Sequence, residues 1–228
     1  MSAKNKIKAV LFDLDGTLVD SAPDLHVAAN KLLRQEKRRD VSLQEITMMI
    51  GDGVPKLVER AFIATGDAIP EGGLDDLAKR YLEFYEPHAA DLTVPFPGAI
   101  ECMARLSEQG FALAVCTNKP YDATMEILDS LDLSSCLSAV IGGDTLPGIK
   151  KPDPRHLLAG VNKLGVRPEE SVMIGDNAND VNAARGAGFP VIVCRFGYTK
   201  GPAEDLNGDL IIDHFDALPD VFAQLAQA

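Results

Sequence analysis

Cysteine is scarce in this 228-residue chain, and its four cysteines, Cys102, Cys116, Cys136 and Cys194, stand far apart. No Cys-x-x-Cys pair occurs, which speaks against a zinc site or a disulfide framework and for reduced thiols. Positive charge is in short supply as well: 22 lysines and arginines face 34 aspartates and glutamates, a formal net charge of −12. Nucleic-acid binders usually carry a basic stripe, so this balance argues against such a partner. The molecule as a whole does not draw in an anion either, and any phosphate must be held by a local lysine or metal ion. No apolar run approaches the roughly 20 residues of a membrane span. The basic start, with Lys4, Lys6 and Lys8, leads into an apolar run too short for a signal peptide. Repeats and low-complexity tracts are missing, and His26, His88, His156 and His214 show no ligand spacing. The expectation is a soluble, cytoplasmic protein with no nucleic-acid or membrane partner. Nothing in the sequence specifies an oligomeric state.

What is present is a rhythm. Short apolar runs at Ile7–Phe12, Phe111–Cys116, Ala139–Ile141, Ser171–Ile174, Val191–Cys194 and Leu210–Ile212 read as strands. They lack the polar–apolar alternation of a half-exposed sheet, which suits parallel strands covered on both faces. Helical patterns lie between them, at Ala99–Gln109, Tyr121–Leu131, Pro154–Leu164, Asp180–Ala187 and Phe215–Ala226. Such alternation predicts an α/β fold with a doubly wound parallel sheet. From about Asp20 to Leu92 the rhythm breaks. That interval holds helical patterns alone, at Ala22–Gln35, Ser42–Met49, Val54–Ala64 and Leu74–Tyr85, and reads as a small helical insert.

The first strand runs into Asp13-Leu14-Asp15-Gly16-Thr17. Residues two apart on an extended chain share a face, so both carboxylates converge. Two like charges that close repel by about 4 kcal/mol at an effective dielectric near 20, and the pair needs a cation, a proton or a hydrogen-bond network. Asp-Gly between apolar runs is also a hairpin signal, and partners elsewhere must decide. In open α/β sheets ligands sit beyond the carboxyl ends of the strands. Those ends carry Asp13 and Asp15, then Thr117 and Asn118, then Lys150-Lys151-Pro152-Asp153-Pro154, then Gly175-Asp176 with Asp180. Singly, Thr117 is a strand end, Lys151 a loop lysine, and Asp176 and Asp180 helix-capping acids. Together, in this order, they suit a phosphate and a metal.

These four segments resemble the motifs of the haloacid dehalogenase superfamily, over essentially the whole chain. Within it the likeness is to bacterial phosphoglycolate phosphatases, through Asp13–Leu25, Val115–Pro120 and Gly142–Pro147. Asn177 departs from the pattern, which usually has Ser or Thr there, although an amide also caps a helix. The resemblance implies a Rossmann-like catalytic core of residues 1–19 and 93–228 and an inserted α-helical cap of residues 20–92. It further implies Asp13 as nucleophile and Asp15 as general acid–base. Mg²⁺ would be held by the Asp13 side chain, the Asp15 carbonyl and Asp176, with Asp180 orienting from behind. Thr117, Asn118 and Lys151 would bind the phosphoryl group of a small phosphorylated metabolite, 2-phosphoglycolate.

Substrate choice belongs to the cap, where Gly51, Gly53, Lys56 and Arg60 are the candidates to read a carboxylate; a plain helix connector is the alternative there. Rival activities are hydrolysis of a sugar phosphate or pyrophosphate, a phosphomutase, and a non-catalytic phospho-receiver. A dehalogenase is disfavoured because it has no need of Asp15.

Overall fold

Valine, leucine and phenylalanine in β1 (Ala9–Phe12) are wholly buried, which a strand achieves only when both sheet faces are covered. The remaining strands are β2 (Val19–Asp20), β3 (Val94–Pro95), β4 (Ala112–Cys116), β5 (Ala139–Ile141), β6 (Ser171–Gly175), β7 (Val191–Cys194) and β8 (Leu210–Ile212). The helices are α1 (Ala22–Gln35), α2 (Leu43–Thr47), α3 (Val54–Thr65), α4 (Leu74–Tyr85), α5 (Ala99–Glu108), α6 (Tyr121–Ser130), α7 (Pro154–Leu164), α8 (Ala178–Ala187) and α9 (Leu218–Leu225). The computed structural model describes residues 7–225, so Lys4, Lys6 and Ala226 lie outside it.

Six strands form one parallel sheet in the order β5-β4-β1-β6-β7-β8. Alternate residues feed two cores. Val10 and Phe12 join the larger one with Leu113, Val115, Val172 and Ile174, whereas Leu11 joins Ala114, Cys116 and Met173 on the opposite face. The second face is covered by α7 and α8, through Leu157, Val161, Val181 and Ala184. Strand order reverses at β1, whose neighbours β4 and β6 diverge beyond their ends. Phe12 pairs with both Val115 and Ile174. That register brings Asp13, Thr117 and Asp176 to one end of the sheet, at the switch point where open α/β sheets bind ligands.

The Asp15–Gly16 turn does not make a hairpin. Gly16 N–H donates to the Val19 carbonyl, and the chain then enters a two-residue antiparallel ribbon, Val19 opposite Pro95 and Asp20 opposite Val94. This ribbon was not legible as strands, because Pro95 has no donor and two residues carry no periodicity. It closes the base of a helical insert, α1 to α4, in which α1 packs on α2 and α4, and α3 on α4. Buried Asp24 ties the insert's entry to its exit by accepting from the Leu92 N–H and the Thr93 hydroxyl. Helix bounds moved by a few residues from expectation. The largest change is at the end of the chain, where a 3₁₀ turn at Phe215–Ala217 precedes α9. Among the described residues no helix is long and apolar enough to cross a membrane.

His156, fully buried in α7, docks that helix on the end of β5 through Nε2 and the Gly142 carbonyl, 3.2 Å away. Burial, with Lys151 nearby, pushes its pKa down from 6.5 to about 4. A depressed histidine makes the unfolded chain the better proton binder between those values, so stability falls as pH drops from 6.5 toward 4. The full effect is up to about 3 kcal/mol. Urea unfolding at pH 7.5 and pH 4.5 should show a larger acid-side loss for the wild type than for His156→Gln. Equal losses would contradict this linkage.

Candidate active site

A buried lysine organises the end of the sheet. Lys151 Nζ lies 2.9 Å from Asp13 Oδ1 and 2.6 Å from Asp180 Oδ1, with all three residues at most 4% exposed. Burial by itself lowers a lysine's pKa, but the two flanking carboxylates raise that of Lys151 above its ordinary value. Asp13 is raised as well, for a different reason. Burial lifts its carboxyl to about 6, against the pull of Lys151. Asp180 is occupied on both oxygens: Oδ1 holds Lys151, and Oδ2 accepts from the Asp176 and Asn177 N–H groups. Asn177 caps α8 as an amide should, accepting from the Asn179 N–H at 2.8 Å.

Asp176 completes the acidic cluster. It accepts from the Thr17 hydroxyl and from the Tyr198 N–H, and burial together with Asp180 and Asp13 raises its pKa well above the usual carboxylate range. One carboxylate oxygen from each of Asp13, Asp176 and Asp180 lies within 4.8 Å of the others. Three carboxylates with no sulfur or imidazole fit a hard divalent cation such as Mg²⁺. Glycine makes room for this arrangement. A Cβ on Gly197 would fall 2.3 Å from Asp176 Cβ and 2.3 Å from the Gly16 carbonyl oxygen. Gly16 itself has φ +86°, and a Cβ there would meet Asp176 Oδ2 at 2.4 Å.

Asp15, one turn of extended chain beyond Asp13, has a different setting. Lys119 Nζ contacts both of its oxygens, at 2.8 and 3.0 Å, and the Ser21 hydroxyl donates to Oδ1. The Lys119 ammonium also lies over the Tyr85 ring, 4.9 Å from its centroid. Thr117 accepts from the Lys119 N–H, while the Asn118 amide donates to the Gly51 and Lys151 carbonyls and leaves its Oδ1 buried without a partner. Asp13, Asp15, Thr117, Asn118 and Lys119 line one cavity of ≈ 30 Å³, roofed by Ile50, Gly51, Gly53, Val54 and Tyr85 from the insert. A second cavity of ≈ 140 Å³ shares Asp15 and Gly51 and reaches Asp176.

The loop Gly51–Gly53 is gripped from below. Asn179 donates to the Gly51 carbonyl and to Asp52, and Lys150 donates to the Asp52 carbonyl. Lys56 and Arg60 do not share this position. Lys56 pairs with Glu59 on the exposed face of α3, and Arg60 is spent on Asp52 and the Met49 carbonyl. Neither lines the smaller cavity, although Asp52, the partner of Arg60, lines the larger one.

A protein-family model described as haloacid dehalogenase-like hydrolase matches residues 7–188. The chain belongs to that family. It is 41% identical to a phosphoglycolate phosphatase of Caulobacter vibrioides over 92% of this chain and 88% of that one. Likeness to a phosphoglycolate phosphatase of Agrobacterium fabrum is 37%, covering 99% and 97%. Among solved structures, one described as a predicted phosphoglycolate phosphatase of Haemophilus somnus 129PT superposes with a TM-score of 0.88 at 29% identity, covering 97% and 99%. CbbY of Rhodobacter sphaeroides in complex with phosphate gives 0.79 at 25%, covering 93% and 96%.

The residue of this hydrolase that sequence reasoning passed over is Lys119. The signal was available, since Thr117 and Lys119 stand two apart just as Asp13 and Asp15 do. With Lys119 counted, four carboxylates face two ammonium groups, a formal −2 that a divalent cation cancels. Gly197→Ala should displace Asp176, weaken Mg²⁺ binding by at least about tenfold, and cost about 1–3 kcal/mol of stability. Calorimetric titration with Mg²⁺ and thermal unfolding check this. Unchanged Mg²⁺ affinity would remove Asp176 from the metal set.

Proposed function

We propose that this phosphoric monoester hydrolase cleaves 2-phosphoglycolate to glycolate and phosphate by way of an aspartyl-phosphate on Asp13. The observation that carries the reading is the separation of two aspartates from one strand into two environments. Asp13 is locked against Lys151 with its second oxygen unclaimed, while Asp15 lines the cavity, bonded to Lys119 and Ser21. In the first step Asp13 Oδ attacks phosphorus, the ester P–O bond breaks, and Asp15 gives its proton to the departing alkoxide oxygen. In the second, Asp15 takes a proton from water as that water attacks phosphorus, and Asp13 leaves as carboxylate.

Lys151 has three donors, and one beyond those given to Asp13 and Asp180 serves a phosphoryl oxygen. Thr117 and the Asn118 N–H serve the others. Mg²⁺ would be held by the Asp13 side chain, the Asp15 carbonyl and Asp176, with Asp180 fixing the Asp176 backbone from behind. When bound it neutralises the phosphoryl oxygens and the excess negative charge of the site.

Residues 1–19 and 93–228 form the catalytic core in this reading, and residues 20–92 the cap. A small substrate suits the site, whose cavity of ≈ 30 Å³ at Asp13 and Asp15 shares Asp15, Ile50 and Gly51 with one of ≈ 140 Å³. The names of the relatives support phosphoglycolate over a hexose phosphate. Four unpaired cysteines, three of them buried, are consistent with a cytoplasmic enzyme.

A panel of phosphoglycolate, hexose phosphates, pyrophosphate and an aryl phosphate tests the substrate. Phosphoglycolate should have the highest kcat/KM, and a clear preference for a hexose phosphate would overturn the reading. Asp13→Asn should abolish turnover of every substrate. Asp15→Asn should lower kcat by about 10²–10⁴-fold, most for the poorest leaving group. Excess chelator should stop turnover and Mg²⁺ restore it; full activity in chelator would contradict the mechanism.

A further inference from the structure

Lys56 pairs with Glu59 and Arg60 with Asp52, and neither lines the cavity that holds Asp13 and Asp15. Among the residues lining that cavity, Lys119 alone carries a positive charge. Its side chain is only 2% exposed, and Asp15 is its charged partner. Below it lies Tyr85, from α4 of the insert, which also lines the cavity and whose hydroxyl is buried with no partner. A buried phenol that donates to nothing is costly unless a ligand accepts from it.

We propose that Lys119, backed by Tyr85, binds the carboxylate of the leaving group and so makes the cavity selective for phosphate esters whose alcohol carries an anion close to the ester oxygen. This rests on the reading of Asp15 as the group that protonates that oxygen. In phosphoglycolate the carboxylate oxygens are three bonds from the ester oxygen, about 3 Å through space. A group hydrogen-bonded to Asp15 is therefore within reach of the carboxylate, whereas Lys56 and Arg60 are engaged with Glu59 and Asp52 outside that cavity. The chemistry also calls for a cation at this spot. An ester oxygen delivered to Asp15 brings the substrate carboxylate beside a second carboxylate, and an ammonium with three donors bridges the two. The Ser21 hydroxyl remains on Asp15 when Lys119 is shared. A longer ester would carry its anion past the Lys119 ammonium, so the position of this lysine sets a length limit as well as a charge requirement.

The test compares phosphoglycolate with 2-hydroxyethyl phosphate, in which a neutral hydroxymethyl group replaces the carboxylate. Wild-type enzyme should favour phosphoglycolate, and Lys119→Met should lower the ratio of the two kcat/KM values by about 10- to 100-fold, chiefly through KM for phosphoglycolate. Lys119→Arg should retain most of the preference, and Tyr85→Phe should reduce it. An equal loss on both substrates in Lys119→Met would show that Lys119 only holds Asp15, and would overturn the proposal while leaving phosphoglycolate as substrate. A wild type that hydrolyses 2-hydroxyethyl phosphate as well as phosphoglycolate would instead overturn the substrate reading. Should Lys119→Met fail to fold, inhibition of the wild type decides: 3-phosphonopropionate should bind at least about tenfold more tightly than propylphosphonate, and equal inhibition would sink the proposal.

Discussion

The ammonium of Lys151, shut between Asp13 and Asp180, is the contact on which the rest of the site depends. Three ionised groups in a dry interior are tolerable only together, because removing one partner of such a set costs about 3–5 kcal/mol through the charge left behind. The set draws on three separate stretches of chain: the end of β1, the segment before α7 and the first turn of α8. Each must be in place for the others to be stable. Asp180 then passes the constraint on. Its second oxygen fixes the Asp176 and Asn177 N–H groups, Asp176 holds the Tyr198 N–H, and the Tyr198 hydroxyl donates to Asp20 at the base of the insert. A run of hydrogen bonds thus leads from the centre of the sheet to the point where the helical insert begins.

Two lysines explain how one strand supplies two unlike acids. Asp13 is deeply buried and faces Lys151, while Asp15 lies at the cavity with Lys119 and Ser21. The side-chain type is the same and the environments differ, which is how paired carboxylates come to suit distinct roles. The two cations are themselves unlike. Lys151 is wedged between charges that belong to the core, whereas Lys119 is pinned between the core's Asp15 and a tyrosine ring brought by α4. One is enclosed at the end of the central strands, and the other stands where core and insert meet.

That meeting is polar. The Gly51 carbonyl collects amide donors from Asn118 and Asn179, on opposite sides of the switch point, and Lys150 takes the Asp52 carbonyl. The loop therefore presents backbone to the site, while its charged neighbours Lys56 and Arg60 pair with Glu59 and Asp52. Closing over the cavity in this way excludes bulk water, which strengthens every charge interaction inside it.

Local order was legible from the chain alone. Apolar runs without alternation could be satisfied only by a sheet covered on both faces, and the rhythm of strands and helices fixed a doubly wound sheet with a helical interruption. Asp13, Thr117, Lys151 and Asp176 were visible because strand ends in such a sheet must converge, whatever the lengths between them. Three things were decided only by tertiary structure. The ribbon of Val19–Asp20 with Val94–Pro95 is too short to carry a period, and forms because the insert's two ends must meet. The pairing of Lys56 with Glu59 and of Arg60 with Asp52 depends on the rotation of α3 about its own axis, which a pattern of spacing leaves free among charged residues. The pairing of Lys119 with Asp15 joins positions 104 residues apart; its spacing to Thr117 places it at the strand's end, but which charge it meets across that range is set by packing.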